Sequence, residues 1–97
     1  MKLKSLHNNE SFVVGYSFQC PGCDCLHIFY VRGNVTWTFD GNIELPTFDP
    51  SLRLDWKEDD KPQCCHLTLT KGKITYHSDS THKMSGQILD LPDHPSP

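Results

Sequence analysis

The sequence predicts an all-β fold, a small antiparallel sheet or sandwich of six to seven short strands stabilised by one zinc ion. Short segments rich in β-branched and aromatic residues recur along the chain, with turn residues between them. The sequence lacks the sustained 3.6-residue apolar period of an amphipathic helix. A Cys-Pro-Gly-Cys segment at 20–23 offers two ligands for a tetrahedral metal ion.

The predicted strands are recognised by composition and alternation. Val35, Trp37 and Phe39 alternate with threonines, which gives their segment one apolar face. Gly33-Asn34 predicts a tight hairpin turn ahead of that segment. The segments predicted as strands are 11–18, 26–32, 35–39, 51–56, 65–70, 73–77 and 87–91.

Two segments between these strands have the composition of loops. Pro46 and Pro50 exclude a helix and a central strand, so we expect 45–51 to be an ordered loop or an edge segment. The polar residues 57–63 predict a mobile loop.

The clearest hairpin joins 65–70 to 73–77 across Lys71-Gly72. A two-residue turn pairs Thr70 with Lys73 and brings the apolar residues of both strands to one face together with Cys65. The opposite face then carries a polar set, which comprises Cys64, His66, His77 and Asp79.

The length of 97 residues accommodates one domain. We predict a single zinc-binding β domain over 1–92 and a flexible C-terminal tail over 93–97. An apolar fraction of 36% is low for a self-sufficient core, so a bound metal would add needed stability.

Charge and cysteine content restrict the compartment and the partners. The odd number of cysteines, five, argues against a closed set of disulfides. Residues 1–10 lack the apolar core of a signal peptide, and no apolar run approaches the roughly 18 residues of a membrane span. We therefore expect a cytoplasmic protein, in the host cell if the gene belongs to a phage. A net charge of −3 with scattered Lys and Arg disfavours nucleic acid.

Cys20 and Cys23 predict a zinc knuckle, a turn in which two thiolates reach the same ion. Pro21 fixes the turn, and Gly22 supplies the backbone dihedrals that it needs. A redox pair is one alternative, but such pairs usually open a helix, whereas a strand is predicted here. Two inert thiols are the other alternative, which exposed cysteines on a turn of a small domain disfavour.

Two further ligands must come from distant residues. We predict Cys65 and His82, with His66 and His27 as alternates. The competing interpretation of Cys65 is an ordinary buried thiol, and that of His82 is a histidine bonded to its own loop.

His66 and His77 also raise the possibility of an open metal site. Opposed on one hairpin face, with Asp79 or Cys64 beside them, they could bind an ion and leave one position for water, as in catalytic zinc sites. The simpler interpretation is two histidines on a polar strand surface.

Six motifs follow one another along the chain. They are Cys20-Pro21-Gly22-Cys23 with His27, Trp37-Thr38-Phe39-Asp40-Gly41, Pro46-Thr47-Phe48-Asp49-Pro50-Ser51, Cys65-His66, Asp79-Ser80-Thr81-His82 and a last segment over 86–92. In this order the chain resembles a family of small phage and prophage proteins of unknown function, over about 18–92. The resemblance implies a zinc-binding accessory protein whose polar set is Cys20, Cys23, His27, Cys65, His66, Asp79 and His82. Some relatives have Cys in place of Ser80, and Cys25 and Cys64 lie outside the pattern.

These observations favour a binding module, a zinc-stabilised domain that engages a host or phage protein and could inhibit a host or defence enzyme. No catalytic or cofactor-binding residue is assigned beyond the zinc ligands, since the sequence lacks a His-Glu-x-x-His motif, a nucleophile elbow and a phosphate loop. The alternative is a small zinc-dependent hydrolase. Its open metal site would be formed by His66, His77, Asp79 and His82, with Asp79 as general base.

Overall fold

Eight β-strands form two antiparallel sheets in the computed structural model, which describes residues 1–96. The strands are β1 (Lys4–His7), β2 (Val13–Cys20), β3 (Cys25–Tyr30), β4 (Thr38–Phe39), β5 (Phe48–Glu58), β6 (Lys61–Thr70), β7 (Lys73–Tyr76) and β8 (Ile88–Asp90). The first sheet has the order β1-β2-β3 and the second the order β4-β5-β6-β7-β8. The predicted all-β class is confirmed, and the strand that the sequence did not reveal is the polar β1.

The described residues include no helix, and so none that could cross a membrane. The cytoplasmic location stays a prediction.

The core lies between the two sheets and contains a stack of aromatic rings. Phe29 of β3 stacks on Phe48 of β5 with ring centroids 4.2 Å apart, and Phe18 of β2 lies 5.2 Å from Phe29. All three side chains are buried. Since burial of one such side chain contributes about 1.5–3 kcal/mol, this stack is a principal contact between the sheets.

The β6–β7 hairpin has the predicted register, with Thr70 opposite Lys73 and Thr68 opposite Thr75. Its two turn residues, Lys71 and Gly72, have φ values of 49° and 75°, as a tight two-residue hairpin turn requires. The inner face of the hairpin therefore carries Leu67 and Cys65, and the outer face carries His66.

The predicted mobile loop over 57–63 is wrong, because these residues belong to the β5–β6 hairpin. Glu58 pairs with Lys61, and the turn consists of Asp59 and Asp60, with φ values of 52° and 63°. Aspartate tolerates the left-handed conformation that such a turn needs. The polar composition of this hairpin concealed it from sequence reasoning.

Residues 48–51 of the proline-rich segment belong to β5, contrary to the prediction of a loop or an edge segment over 45–51, whereas residues 45–47 precede the strand. The pairing of β5 with β6 shifts between Phe48, which faces Leu69, and Leu52, which faces Leu67. Four residues of β5 therefore span two of β6, and the resulting bulge accommodates Pro50. Within this bulge, the side chain of Ser51 lies on the outer face of the sheet.

The hairpin predicted at Gly33-Asn34 is wrong as well. β3 pairs with β2, whereas β4 pairs with β5, so the segment 31–37 crosses from one sheet to the other.

The last described residues contact the first strands. Asp93 lies 3.6 Å from the N-terminal amine and 3.4 Å from Lys2 Nζ. His94 is buried, and its Nε2 lies 2.8 Å from Ser17 Oγ. The predicted tail over 93–97 begins with these residues and ends at Pro97, which lies outside the described residues.

Candidate active site

Three polar side chains form a hydrogen-bonded chain on the outer face of the five-stranded sheet. Ser51 Oγ lies 3.1 Å from His66 Nε2, and His66 Nδ1 lies 3.0 Å from Asp79 Oδ1. Each imidazole nitrogen therefore has one partner, a hydroxyl on one side and a carboxylate on the other. This is the order of contacts in a Ser-His-Asp triad.

Three different segments supply these residues. Ser51 lies within the bulge of β5, His66 lies in β6 opposite Arg53, and Asp79 lies in the turn after β7. Side chains alternate along a strand, so His66 points outward while its neighbour Cys65 points into the core. The constellation depends on the pairing of β5 with β6.

Asp79 is held as a carboxylate next to the histidine. Desolvation opposes ionisation, but the hydrogen bond with His66 and the charge of Arg53 hold the pKa of Asp79 below its usual range. Arg53 Nη1 donates to Asp79 Oδ2 at 2.8 Å. An ionised Asp79 accepts a hydrogen bond from Nδ1–H, which leaves the unprotonated Nε2 able to accept the proton of Ser51.

Ser80 lies beside His66 in a different arrangement. Its Oγ accepts from the His66 backbone N–H and donates to the His66 carbonyl, both at 3.0 Å. The side chain is buried, and its hydrogen bonds are directed at the backbone. Ser80 therefore fixes the position of His66, whereas the imidazole itself contacts Ser51.

His77 contacts the flat side of the His66 ring. The two rings stack with centroids 3.9 Å apart and planes 13° apart, and His77 Nε2 lies 2.7 Å from Thr68 Oγ1. His82 lies on the inner side of the sheet, where its ring meets Tyr76 edge-on at 4.6 Å. The open metal site expected from His66, His77, Asp79 and His82 is therefore not formed.

A second cluster lies on the inner face, one residue away along β6. It consists of Cys20, Cys23, His27 and Cys65, whose candidate donor atoms all lie within 4.8 Å of one another. Cys20 ends β2, Cys23 follows in the turn, and the β2–β3 pairing brings His27 opposite Phe18. The cluster could hold a metal ion and contains three of the four predicted ligands.

The chemistry of the donor set fits a cation. His27 Nε2 is buried and, within the described chain, has no hydrogen-bond partner. A hydrogen bond from Cys65 lowers the pKa of Cys20 to about 3, and the same bond raises the pKa of Cys65. Burial and the charge on Cys20 raise the pKa of Cys23 to about 12. The three sulfurs could all be ionised this close together only with a cation among them, and a donor set of three thiolates and one imidazole suits zinc.

His82, the predicted fourth ligand, lies outside this cluster. Its Nδ1 accepts from the Met84 backbone N–H at 3.2 Å, and its ring covers Gly22. A Cβ on Gly22 would come within 2.3 Å of that ring, so the glycine is needed for this contact. The alternate His66 lies outside the cluster because it faces the other side of β6, and the alternate His27 is the fourth member of the cluster.

The sequence did not indicate Ser51 as a candidate nucleophile. No nucleophile elbow surrounds it, and its contact with His66 depends on the bulge in β5. A signal was nevertheless present, because Ser51, His66 and Asp79 each belong to a different one of the six motifs.

Between the knuckle and the far end of the β5–β6 hairpin lies a cavity of about 550 Å³. The side chains of β5 that line it are Leu54, Trp56 and Glu58, and the facing residues include Cys25 and His82. The cavity lies on the inner side of the sheet, behind the Ser51 surface.

A family model described as bacterial ubiquitination-like system serine protease (BubE) matches residues 3–77. The matched range contains Ser51, His66 and the four residues of the inner cluster, and it ends two residues before Asp79. No curated protein and no solved structure matches the chain.

Proposed function

The chain belongs to the BubE family, bacterial ubiquitination-like system serine proteases, and from that premise we propose that it is a serine protease with Ser51, His66 and Asp79 as its catalytic triad. The family description overturns the predicted binding module or inhibitor, because it names a hydrolase. It agrees with the hydrolase alternative, although the nucleophile proposed here is a serine and not a metal-bound water.

The observation that supports the triad is the pair of contacts made by one imidazole. The distances of 3.1 Å to Ser51 Oγ and 3.0 Å to Asp79 Oδ1 are both within hydrogen-bonding range. Asp79 and Arg53 are exposed beside them, so a polypeptide can approach from solvent.

In the proposed reaction, Ser51 Oγ attacks the carbonyl carbon of a peptide bond while His66 Nε2 takes the hydroxyl proton. His66 then gives that proton to the leaving amine as the C–N bond breaks, and an ester between Ser51 and the substrate acyl group remains. A water molecule, deprotonated by His66, hydrolyses the ester and restores Ser51. Asp79 orients the imidazole and stabilises its charged form throughout.

We propose that the inner cluster binds zinc in a structural role. Cys20, Cys23, His27 and Cys65 would fill all four tetrahedral positions and leave none for water or substrate. When bound, zinc would cross-link the β2–β3 turn to β6. Because Cys65 and His66 are consecutive, this cross-link would also fix the backbone that carries the proposed base.

The family description names a bacterial ubiquitination-like system. We propose that the substrate is a protein of such a system. The protein partner expected from the sequence would then be this substrate.

A fluorophosphonate probe, which reacts with activated serines, tests the proposed nucleophile. We expect one adduct on Ser51, located by peptide mass spectrometry, and no adduct in Ser51→Ala. Ser78→Ala is the matched control, since Ser78 is exposed and lies outside the constellation. An adduct on another serine, or none on folded wild-type protein, would contradict the proposal.

A further inference from the structure

Beside Ser51, β5 has an unpaired edge. β4 pairs with β5 only at Thr38–Asp49 and Phe39–Phe48. From residue 52 to Glu58, β5 is paired with β6 on one side, and among residues 1–96 no strand pairs with its other side. An edge of this kind offers a row of backbone donors and acceptors.

The hydrogen bonds of β6 show which residues of β5 direct their backbone N–H and C=O groups to the open edge. The backbone N–H groups of His66 and Cys64 donate to Ser80 and Thr81, on the side away from β5. In an antiparallel pair, directly opposite residues either bond to each other or both point away. The residues opposite His66 and Cys64 therefore direct their N–H and C=O groups to the open edge, and these residues are Arg53 and Asp55.

The same alternation extends to the proposed nucleophile. Ser51 lies two residues before Arg53, and its carbonyl oxygen accepts a hydrogen bond from Trp37 Nε1 at 3.2 Å. That bond comes from the segment beyond the edge, so Ser51 belongs to the outward-facing row. The open part of the edge thus begins immediately beside the Ser51 side chain.

We infer that the substrate binds as an extended strand antiparallel to β5, hydrogen-bonded to the backbones of Arg53 and Asp55, with its scissile bond at Ser51. The inference rests on the proposed protease function. Strand addition to an exposed sheet edge is a common way to bind extended peptides, and every other strand pair in this protein is antiparallel. The substrate class is accordingly an unfolded polypeptide segment, such as the terminal tail of a protein.

The antiparallel direction assigns the specificity. Residues on the amino-terminal side of the scissile bond would lie along 53–57, and their side chains would alternate between the two faces of the sheet. Those directed inward reach the cavity beside Leu54, Trp56 and Glu58. The described lining includes no Lys or Arg, so these positions should favour apolar or basic side chains over acidic ones.

The test uses a library of internally quenched octapeptides, followed by an N-methyl scan of a cleaved member. Each N-methyl group removes one substrate backbone donor. We expect kcat/KM to fall by about 2- to 10-fold at alternate positions amino-terminal to the cleaved bond, and to change little at those between. Uniform sensitivity, or none, would overturn the inference.

Variants of the enzyme test the same hydrogen bonds from the side of β5, and together with the methylated peptides they form a double-mutant cycle. Asp55→Pro removes the outward N–H, and Asp55→Ala removes the same carboxylate but retains that donor. We expect kcat/KM to be lower for Asp55→Pro than for Asp55→Ala. This difference between the variants should be smaller for the peptide that is N-methylated at the residue opposite position 55. Equal values for the two folded variants would count against strand pairing.

Labelling of Ser51 by the fluorophosphonate distinguishes failure of the strand-binding inference from failure of the proposed protease function. If Ser51 is labelled and no library peptide is cleaved, the extended-strand inference is wrong while the nucleophile stands. If Ser51 is not labelled, the protease proposal itself fails.

Discussion

The two faces of β6 carry two candidate sites of opposite character. On the inner face, Cys65 is fully buried, and the donor atoms of its three cluster neighbours all lie within 4.8 Å of its sulfur. On the outer face, His66 is part of a line of three side chains that remains open to solvent. A closed set suits a structural ion and an open line suits a reaction, so burial distinguishes the two roles more clearly than residue type does.

A substitution in the inner cluster should have the largest effect, because loss of the metal would destabilise β6, the strand that carries residues of both sites. We expect Cys20→Ser to lose one equivalent of zinc and cooperative folding together. A structural zinc ion can contribute about 10–16 kcal/mol, which is comparable to or larger than the stability of a small domain. Metal analysis and thermal unfolding measure both. Cys25→Ser is the matched control, since Cys25 is exposed and outside the cluster. Metal-free wild-type protein that unfolds cooperatively under reducing conditions would refute the expectation.

A substitution in the proposed triad should lower activity and leave the metal cluster on the inner face unchanged. Asp79→Asn removes the charge that orients His66, and loss of the corresponding aspartate in serine proteases lowers kcat by about 10⁴-fold. We expect a loss of that order in peptide cleavage, with zinc content unchanged. The comparison requires both measurements on the same preparation. Activity near the wild-type level would remove Asp79 from the triad.

Ser80→Ala tests the link between the backbone and the base. The substitution leaves the N–H and C=O of His66 without their hydroxyl partner, at a cost of about 1–3 kcal/mol. We therefore expect a lower free energy of unfolding in urea, with a smaller loss of activity than for Asp79→Asn. Ser78→Ala serves as the control, and equal stability of the two variants would argue against the role given to Ser80.

The smallest expected effect concerns the cavity behind the outer face. Glu58→Lys places a cation among its lining residues and should shift cleavage toward peptides with acidic inward-facing positions by a few fold. Asp60→Lys is the matched charge change at the hairpin turn, outside the lining. Peptide-library profiles that change equally in both variants would indicate a long-range charge effect and not contact with the cavity.

Local signals predicted part of this molecule well. The register of the β6–β7 hairpin follows from Lys71-Gly72 alone, since the length of the turn decides which residues pair. The same signal assigned Cys65 and His66 to opposite faces. The all-β class also needed no tertiary information, because alternation and turn residues recur along the whole chain.

Contacts between distant segments were beyond sequence reasoning. The choice between His27 and His82 depends on how the knuckle packs against β6, which no local pattern records. Ser51 becomes a candidate nucleophile only when a bulge in β5 brings it to His66. Polar residues at 57–63 concealed a hairpin because aspartates, and not glycines, occupy its turn.

The adjacency of Cys65 and His66 constrains how this strand can change. A shift of one residue in the pairing of β6 would turn the imidazole inward and the thiol outward, so that one error would abolish both sites. Insertions and deletions within β6 should therefore be tolerated far less than substitutions at its exposed ends, near Lys61 and Thr70.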